Sequence, residues 1–373
     1  MIKTDDIYSD NRVVMTLDAG GINFRFSAMQ RGSAVVKAIV TPAYGKDLVR
    51  CLGNMNECFE HVKSQCPAPP MAISFGICGP SHYTQGIIGD VAHLPCFRGG
   101  VALGSMLEDK FNIPVYINND ADLFVYGEAI AGLLPHINQQ LAKAGNPKRY
   151  RNLFGLTIDT GLGAGIVRNG EMFLGDNSVA GEIWLMRNKL DTKMNAEEGA
   201  CIRALRRVYA QQAGIPIQSA PDLQGIEEIA LDEKSAYREA ALEAYRRLGE
   251  VAGDALANAL SLVDGLAVLG GEVSRGAHLF LPEIVNELNS NFTSPSGRKY
   301  KRLIPNVYNL EEPAHLEEFL RREVSELTVP GSLRRVRYDS SQRIGVGISR
   351  LGTSEAMAIG AYAFALEKLR VFA

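Results

Sequence analysis

Two aspartates stand where a strand-like apolar run gives way to glycine: Leu17-Asp18-Ala19-Gly20-Gly21 and Ile158-Asp159-Thr160-Gly161-Leu162-Gly163. An aspartate at such a turn can hold a magnesium ion or its water shell against phosphate oxygens, while the glycines let main-chain N–H groups close on an anion. One turn of this kind suits one phosphate, and two suit a chain of them. An isolated Asp-x-Gly-Gly is an ordinary turn, so the reading rests on the repetition in equivalent contexts. A third strand end, Val268-Leu269-Gly270-Gly271, precedes a helical pattern and offers a place for adenosine or phosphate. A further carboxylate, Asp120, follows the apolar run Val115–Ile117 and opens another helical pattern. A carboxylate at a strand end beside a helix start can accept a proton from an attacking hydroxyl, or it can simply cap the helix.

The elements that position these residues follow from periodicity. Val13–Leu17 and Phe154–Ile158 are continuous apolar runs, as in strands buried on both faces. After each Asp the chain resumes as a second strand and reaches a hairpin signal, Arg31-Gly32 in one copy and Asn169-Gly170 in the other. The repeat is therefore one of supersecondary structure. Between the copies lie a helix over about 46–65, a strand over 71–76, the turn Cys78-Gly79-Pro80, a helix near 102–111, a strand over 115–118, and a helix over 121–134 with Asn119 or Asp120 as its cap. Helical patterns over about 197–213 and 232–263 lead to the strand 266–269. Residues 290–345 are the least regular, and the basic run from Arg298 to Arg302 reads as a solvated loop. An alanine-rich helix over 354–369 closes the chain.

Composition narrows the function classes. At 373 residues two domains are expected, and a net charge of −3 gives no sign of a nucleic-acid or anionic-membrane partner. No apolar run approaches a bilayer's thickness and residues 1–10 lack a signal-peptide pattern, so a cytoplasmic protein is expected. The six cysteines form no Cys-x-x-Cys pair and the six histidines are scattered, which offers neither a disulfide framework nor a zinc site.

The run Asp18-Ala19-Gly20-Gly21-Ile22-Asn23-Phe24-Arg25 resembles the first phosphate motif of sugar kinases in the actin-like ATPase superfamily. Further segments resemble, in order, the ROK family of repressors, open reading frames and kinases: Gly76–Pro80, His93–Gly99, Asn118–Asp122 with Gly127-Glu128, Leu156–Gly165, Ala180–Ile183 and Val268–Ser274. This resemblance implies an α/β fold of two ribonuclease-H-like domains with a cleft between them. The smaller domain would span 1–121 and the larger 122–355, with an insertion near 290–345 and a final helix, about 356–373, able to pack back on the first domain. The implied activity is ATP-dependent phosphorylation of a hexose or related sugar, at the C6 hydroxyl by analogy, by a homodimer.

By the same resemblance Asp120 is the catalytic base, and Asn119, Glu182, Gly79 and His93 bind the sugar. Asp18 positions magnesium, with Asp159 as a second candidate, while Gly20, Gly21, Asn23, Thr160, Gly161, Gly163, Gly270 and Gly271 bind ATP. Three departures matter. Ile22 and Asp159 replace a usual Thr and Gly, and the usual Gly-Glu-Ile-Gly-His reads Gly181-Glu182-Ile183-Trp184-Leu185. With the histidine absent, and only Cys201 between 188 and 201, no structural zinc site is expected. Glu197 or Glu198 could replace the lost sugar contact, or serve only as first-turn helix acids. Two other functions compete: a non-catalytic sugar- or nucleotide-binding protein, and a transcriptional regulator of the same family. Only about eleven residues precede the first strand, too few for a helix-turn-helix.

Overall fold

The computed structural model describes residues 4–19, 23–79, 81–91 and 94–371. The chain divides into two compact units, one of residues 1–135, 164–181 and 349–373 and another of 136–163 and 182–348.

The first unit begins with α1 (Thr4–Ser9), β1 (Val13–Asp18), β2 (Asn23–Gln30), β3 (Ser33–Pro42) and α2 (Leu48–Gln65). It continues through β4 (Pro70–Gly76), the short pair β5 (Ile87–Ile88) and β6 (Val101–Ala102), α3 (Leu103–Phe111), β7 (Val115–Asn118) and α4 (Asp120–Ile130). Its sheet runs β3-β2-β1-β4-β7, an antiparallel meander joined to parallel strands. The expected Arg31-Gly32 hairpin is present, with both residues at positive φ, the conformation a tight two-residue turn requires. Alternation in β1 assigns its two faces. Val13, Met15 and Leu17 join Met55, Phe59 and Val62 of α2 in one core cluster, where Phe59 meets Phe26 edge-on at 5.0 Å.

The expected helix over 121–134 is instead broken. α4 stops at Ile130 and α5 (Leu133–Lys143) starts anew. The cause is Glu128, fully buried, whose carboxylate accepts the Leu133 N–H at 2.7 Å and removes it from the helical ladder. That carboxylate also accepts from the Ser349 hydroxyl at 2.6 Å and from the Arg350 and Leu351 amides at 3.1 Å, so its charge is met by several donors at once. The links 349–352 then enter α11 (Thr353–Val371), the closing helix, which packs on α4, β4 and β1. Glycines allow that crossing: a Cβ on Gly127 would fall 2.0 Å from the Ala356 carbonyl oxygen, and one on Gly360 2.0 Å from that of Leu123.

The second unit holds β8 (Leu153–Ile158), and β9 (Leu162–Arg168) starts in it and forms a hairpin with β10 (Glu171–Met172), turning on Asn169-Gly170 at positive φ. Next come α6 (Ile202–Ala213), α7 (Leu223–Leu231), α8 (Arg238–Val263), β11 (Leu266–Gly270) and α9 (Ala277–Leu288). The helices over 197–213 and 232–263 therefore start later than their periodicity suggests. The cause in the first case is that residues 195–201 form turns tied to 186–188; in the second, residues 232–237 form turns held by side chains, the Asp232 carboxylate accepting the Lys234 N–H at 2.9 Å and the Ser235 hydroxyl the Tyr237 N–H at 3.3 Å.

Residues 290–345 contain more structure than their composition suggests. They hold the hairpin β12 (Asn291–Thr293) with β13 (Lys299–Lys301), β14 (Asn306–Asn309), α10 (Pro313–Leu320), the hairpin β15 (Val324–Thr328) with β16 (Arg335–Asp339), and the start of β17 (Arg343–Ile348). β14 and β17 pair in parallel and extend the order β8-β11-β17-β14, so this stretch completes the sheet. Arg343, almost wholly buried, fixes the base of the second hairpin by donating to the Phe319 carbonyl at 2.9 Å and the Ser341 hydroxyl at 2.6 Å.

Candidate functional site

In the first unit the candidate residues lie at the carboxyl ends of parallel strands, where ligands of open α/β sheets bind. Asp18 is in register with Gly76, and Gly76 with Asn118, so β1, β4 and β7 end in one row. Asn119 caps α4: its Oδ1 accepts the Ala121 and Asp122 amides at 2.8 and 3.4 Å. A cap of this kind contributes about 1 kcal/mol to the helix. Asp120 is thereby the first helical residue, and its Oδ1 accepts the Ala121 N–H at 2.9 Å. Its Cα would lie 2.9 Å from a Cβ on Gly76, so glycine at the end of β4 lets the carboxylate-bearing turn come close.

Asn119 also donates from Nδ2 to the Tyr83 hydroxyl at 3.4 Å, and that hydroxyl donates to the carbonyls of Ile77, at 2.9 Å, and Gly79. Tyr83 ties the Gly79 turn to Asn119. Burial, with a smaller contribution from the negative charge of Asp120, raises the Tyr83 hydroxyl far above its ordinary pKa, and burial with Asp120 does the same to the Cys78 thiol. Neither ionises at neutral pH, and both remain polar walls beside the carboxylate. Asp18 accepts from the Ser354 hydroxyl in the first turn of α11 at 3.3 Å, and a small pocket beside it is lined by Thr16, Arg25, Gly76 and Met357. Asn23 opens β2, exposed. The expected ligands Gly20, Gly21 and His93, and the substituted Ile22, lie outside the described residues.

The second turn is built differently. Asp159 accepts the Thr160 amide at 2.9 Å and the Glu272 amide at 3.4 Å, joining the end of β8 to the turn after β11. Gly270 pairs with Thr157, and Gly271, at φ +86°, passes so close to β8 that a Cβ would fall 2.3 Å from the Ile158 carbonyl oxygen. Thr160, Gly161, Gly163, Gly270 and Gly271 are therefore brought together in the second unit. Glu182 belongs to that unit too, and Asn119 and Asp120 to the first.

Sequence reasoning missed the bracing of this turn. Glu197 is neither a first-turn helix acid nor a loose surface group: its Oε2 accepts the Leu162 N–H at 3.0 Å, and its Oε1 receives Arg203 at 2.9 Å. Arg203 also donates to the Thr160 carbonyl and to Glu198 at 3.3 Å. The hydrogen bond to Glu197 raises the Arg203 pKa, and hydrogen bonding to Arg207 lowers that of Glu198. Local spacing carries no sign of a contact made across 35 residues. Glu182 receives the indole N–H of Trp184, the chain's one tryptophan, whereas Leu185 is 60% exposed. Lys189 holds the following loop by pairing with Glu287 at 2.6 Å and Glu250 at 3.1 Å.

A sequence model described as "ROK family" matches residues 14–314. The chain belongs to the ROK family. A crystal structure of a glucokinase from Parabacteroides distasonis is 47% identical to this ROK protein, with a TM-score of 0.87 over 97% of this chain and 99% of that one. A ROK family glucokinase from Streptomyces griseus, in complex with glucose and AMPPNP, is 18% identical with a TM-score of 0.61 over 94% of this chain and 98% of that one, a likeness of fold. The xylose repressor of Bacillus subtilis is 24% identical over 271 residues, 68% of this chain and 62% of the repressor. The chain spans between about half and two thirds of the length of the curated xylose repressors it matches. The fold is thus that of the ROK sugar kinases, the actin-like ATPase fold.

Proposed function

We propose that this ROK protein transfers the γ-phosphoryl group of ATP to a hydroxyl of a hexose or related sugar. The observation that carries the reading is the row Asp18, Gly76, Asn118, which sets Asp120 at the first turn of α4 with one carboxylate oxygen fixed by a backbone amide. Close kinship with a protein described as a glucokinase supports the same reading, and a relative's complex with AMPPNP supports ATP as donor.

Phosphoryl transfer asks little covalent chemistry of a protein, so placement and charge do most of the work. Asp120 accepts the proton of the attacking sugar hydroxyl, a contribution of typically about 10²–10⁴ in rate. Asn119, held by its cap and by Tyr83, retains a second Nδ2 N–H for a sugar oxygen, and Glu182 accepts sugar hydroxyls. The glycine turns offer main-chain donors to the phosphates. Asp18 is a half-buried carboxylate at a strand end beside a hydroxyl. Such a donor set fits magnesium, which commonly takes one or two protein carboxylates and keeps waters or phosphate oxygens around the rest. When bound, magnesium neutralises charge on the phosphates; Asp159 is the second candidate carboxylate.

The test is ADP release from ATP and magnesium across hexoses, N-acetylhexosamines and ketoses, with wild type and Asp120→Asn compared. Turnover on one sugar, reduced at least about 10³-fold in the variant with its unfolding transition unchanged, supports the assignment. Normal turnover by Asp120→Asn refutes it, and nucleotide binding without turnover on any sugar favours the binding-protein reading.

A further inference from the structure

Glu197 touches two parts of the second unit that serve different ligands in the kinase reading, on which this inference rests. Its backbone N–H donates to the Trp184 carbonyl at 3.4 Å, and the neighbouring Ala196 N–H donates to the Met186 carbonyl at 2.7 Å. The segment therefore lies along the turn 182–186, which opens with the sugar-facing carboxylate Glu182 and its partner Trp184. Its side chain reaches the other way. Oε2 accepts the Leu162 N–H at 3.0 Å and stands 2.8 Å from where a Cβ on Gly161 would be, while Oε1 is neutralised by Arg203, which also holds the Thr160 carbonyl. A second strand of the same link is the Ile202 N–H, donated to the Asp159 carbonyl at 2.8 Å.

We propose that Glu197 is a positioning residue that couples occupancy of the sugar site to the geometry of the nucleotide turn 159–163. A sugar hydroxyl bound to Glu182 competes with the Trp184 indole for the same carboxylate. A shift of Trp184 moves the carbonyl on which the Glu197 main chain rests, and the Glu197 carboxylate carries that shift to the Leu162 amide. The arrangement also handles charge: a carboxylate beside a phosphate turn would repel the phosphate, and the Arg203 guanidinium offsets it. Coupling of this kind is reciprocal, so nucleotide must tighten the sugar by the factor with which sugar tightens nucleotide. An inert brace would hold the turn without producing such a factor.

The experiment is isothermal titration of AMPPNP with magnesium, in the absence and presence of the sugar that gives turnover, glucose being tried first, and of that sugar with and without AMPPNP. Wild type is expected to show a tightening of about 5-fold or more in both directions. In Glu197→Ala the factor falls to within about twofold of unity, whatever the change in the affinity of each ligand alone. Glu197→Gln keeps most of the factor, because its amide oxygen can still accept the Leu162 N–H. Should the alanine variant lack a cooperative unfolding transition, Glu197→Asp, which withdraws the carboxylate by one methylene, is expected to lose the factor in its place. An undiminished factor in the folded alanine or aspartate variant overturns the coupling, as does a wild type that binds both ligands independently. A wild type that binds AMPPNP but none of the sugars overturns the kinase reading itself.

Discussion

Among the described residues, Asp18 stands in a row of strand ends with Gly76 and Asn118 and accepts from Ser354 in the first turn of α11. At the Asp159 turn the supports are charged side chains from distant sequence, with Glu197 on the Leu162 amide, Arg203 on the Thr160 carbonyl and Asp159 itself reaching the Glu272 amide. The two turns share a sequence pattern and a strand-to-hairpin frame, so the pattern specifies the backbone and leaves the bracing open. The difference suggests a division of labour. The Asp18 carboxylate meets the Ser354 hydroxyl and lines a pocket, and the Asp159 carboxylate accepts the Thr160 and Glu272 amides and so ties two loops together.

The largest effect that tests this division is in activity. Asp18→Asn is expected to lower kcat by about 10²–10³, the scale of a lost electrostatic contact to the transition state. Asp159→Asn is expected to act mainly on the KM for ATP, by about tenfold, because the amide keeps one acceptor for Thr160 and loses the bond to Glu272. Steady-state kinetics of the two variants on one sugar would decide. Equal losses in kcat would mean that both carboxylates act on the reacting phosphates, and the division would fall.

Stability gives the next contrast, within the second unit. Gly271 has positive φ and faces a backbone carbonyl that cannot retreat, so Gly271→Ala is expected to destabilise by about 2–4 kcal/mol. At Gly161 a Cβ would meet the far end of the Glu197 side chain, which can swing aside. Gly161→Ala should therefore cost below about 1 kcal/mol in denaturant unfolding, close to an ordinary surface change, while weakening the Glu197 bond to Leu162. A loss at Gly161 as large as that at Gly271 would show that the carboxylate is held too firmly to move.

These contrasts also mark what the sequence makes legible. Asn169-Gly170, Arg31-Gly32 and the Asn119 cap each act on backbone within a few residues, and each forms where its local chemistry demands. Residues 290–345 mislead because β14 is four residues long and needs β17 beside it to become a strand, a pairing invisible in composition. The break before Leu133 depends on Glu128 collecting donors from 349–351, more than two hundred residues away. Glu197 is the same case at the site, since its meaning comes from a turn that local periodicity does not connect to it. In the sequence, the expectation of a rebuilt sugar side rests on Leu185 in place of the usual histidine and on the missing cysteines; the bond from the Trp184 indole to Glu182 is visible only in the structure.

The smallest effect concerns pH, and it separates the two turns by the nature of their supports. Hydrogen bonding to Arg207 first, and to Arg203, holds the Glu198 carboxyl below its ordinary value of 4.5 in the folded state. A depressed folded pKa means that the ionised form binds the fold better than it binds the unfolded chain. Its contribution is then complete above about 4.5 and is lost as pH falls through the lowered value. The thermal midpoint of wild type should accordingly drop as pH is taken from about 5 to about 3, and Glu198→Gln, which has no such carboxyl to protonate, should show a slightly shallower drop. The difference is modest because this ion pair is more than a third exposed and solvent screens it. The protection of the Leu162 amide relative to its intrinsic exchange rate should fall more over the same range than protection in β1 if ion pairs brace the second turn, and an equal fall would place titrating supports under both.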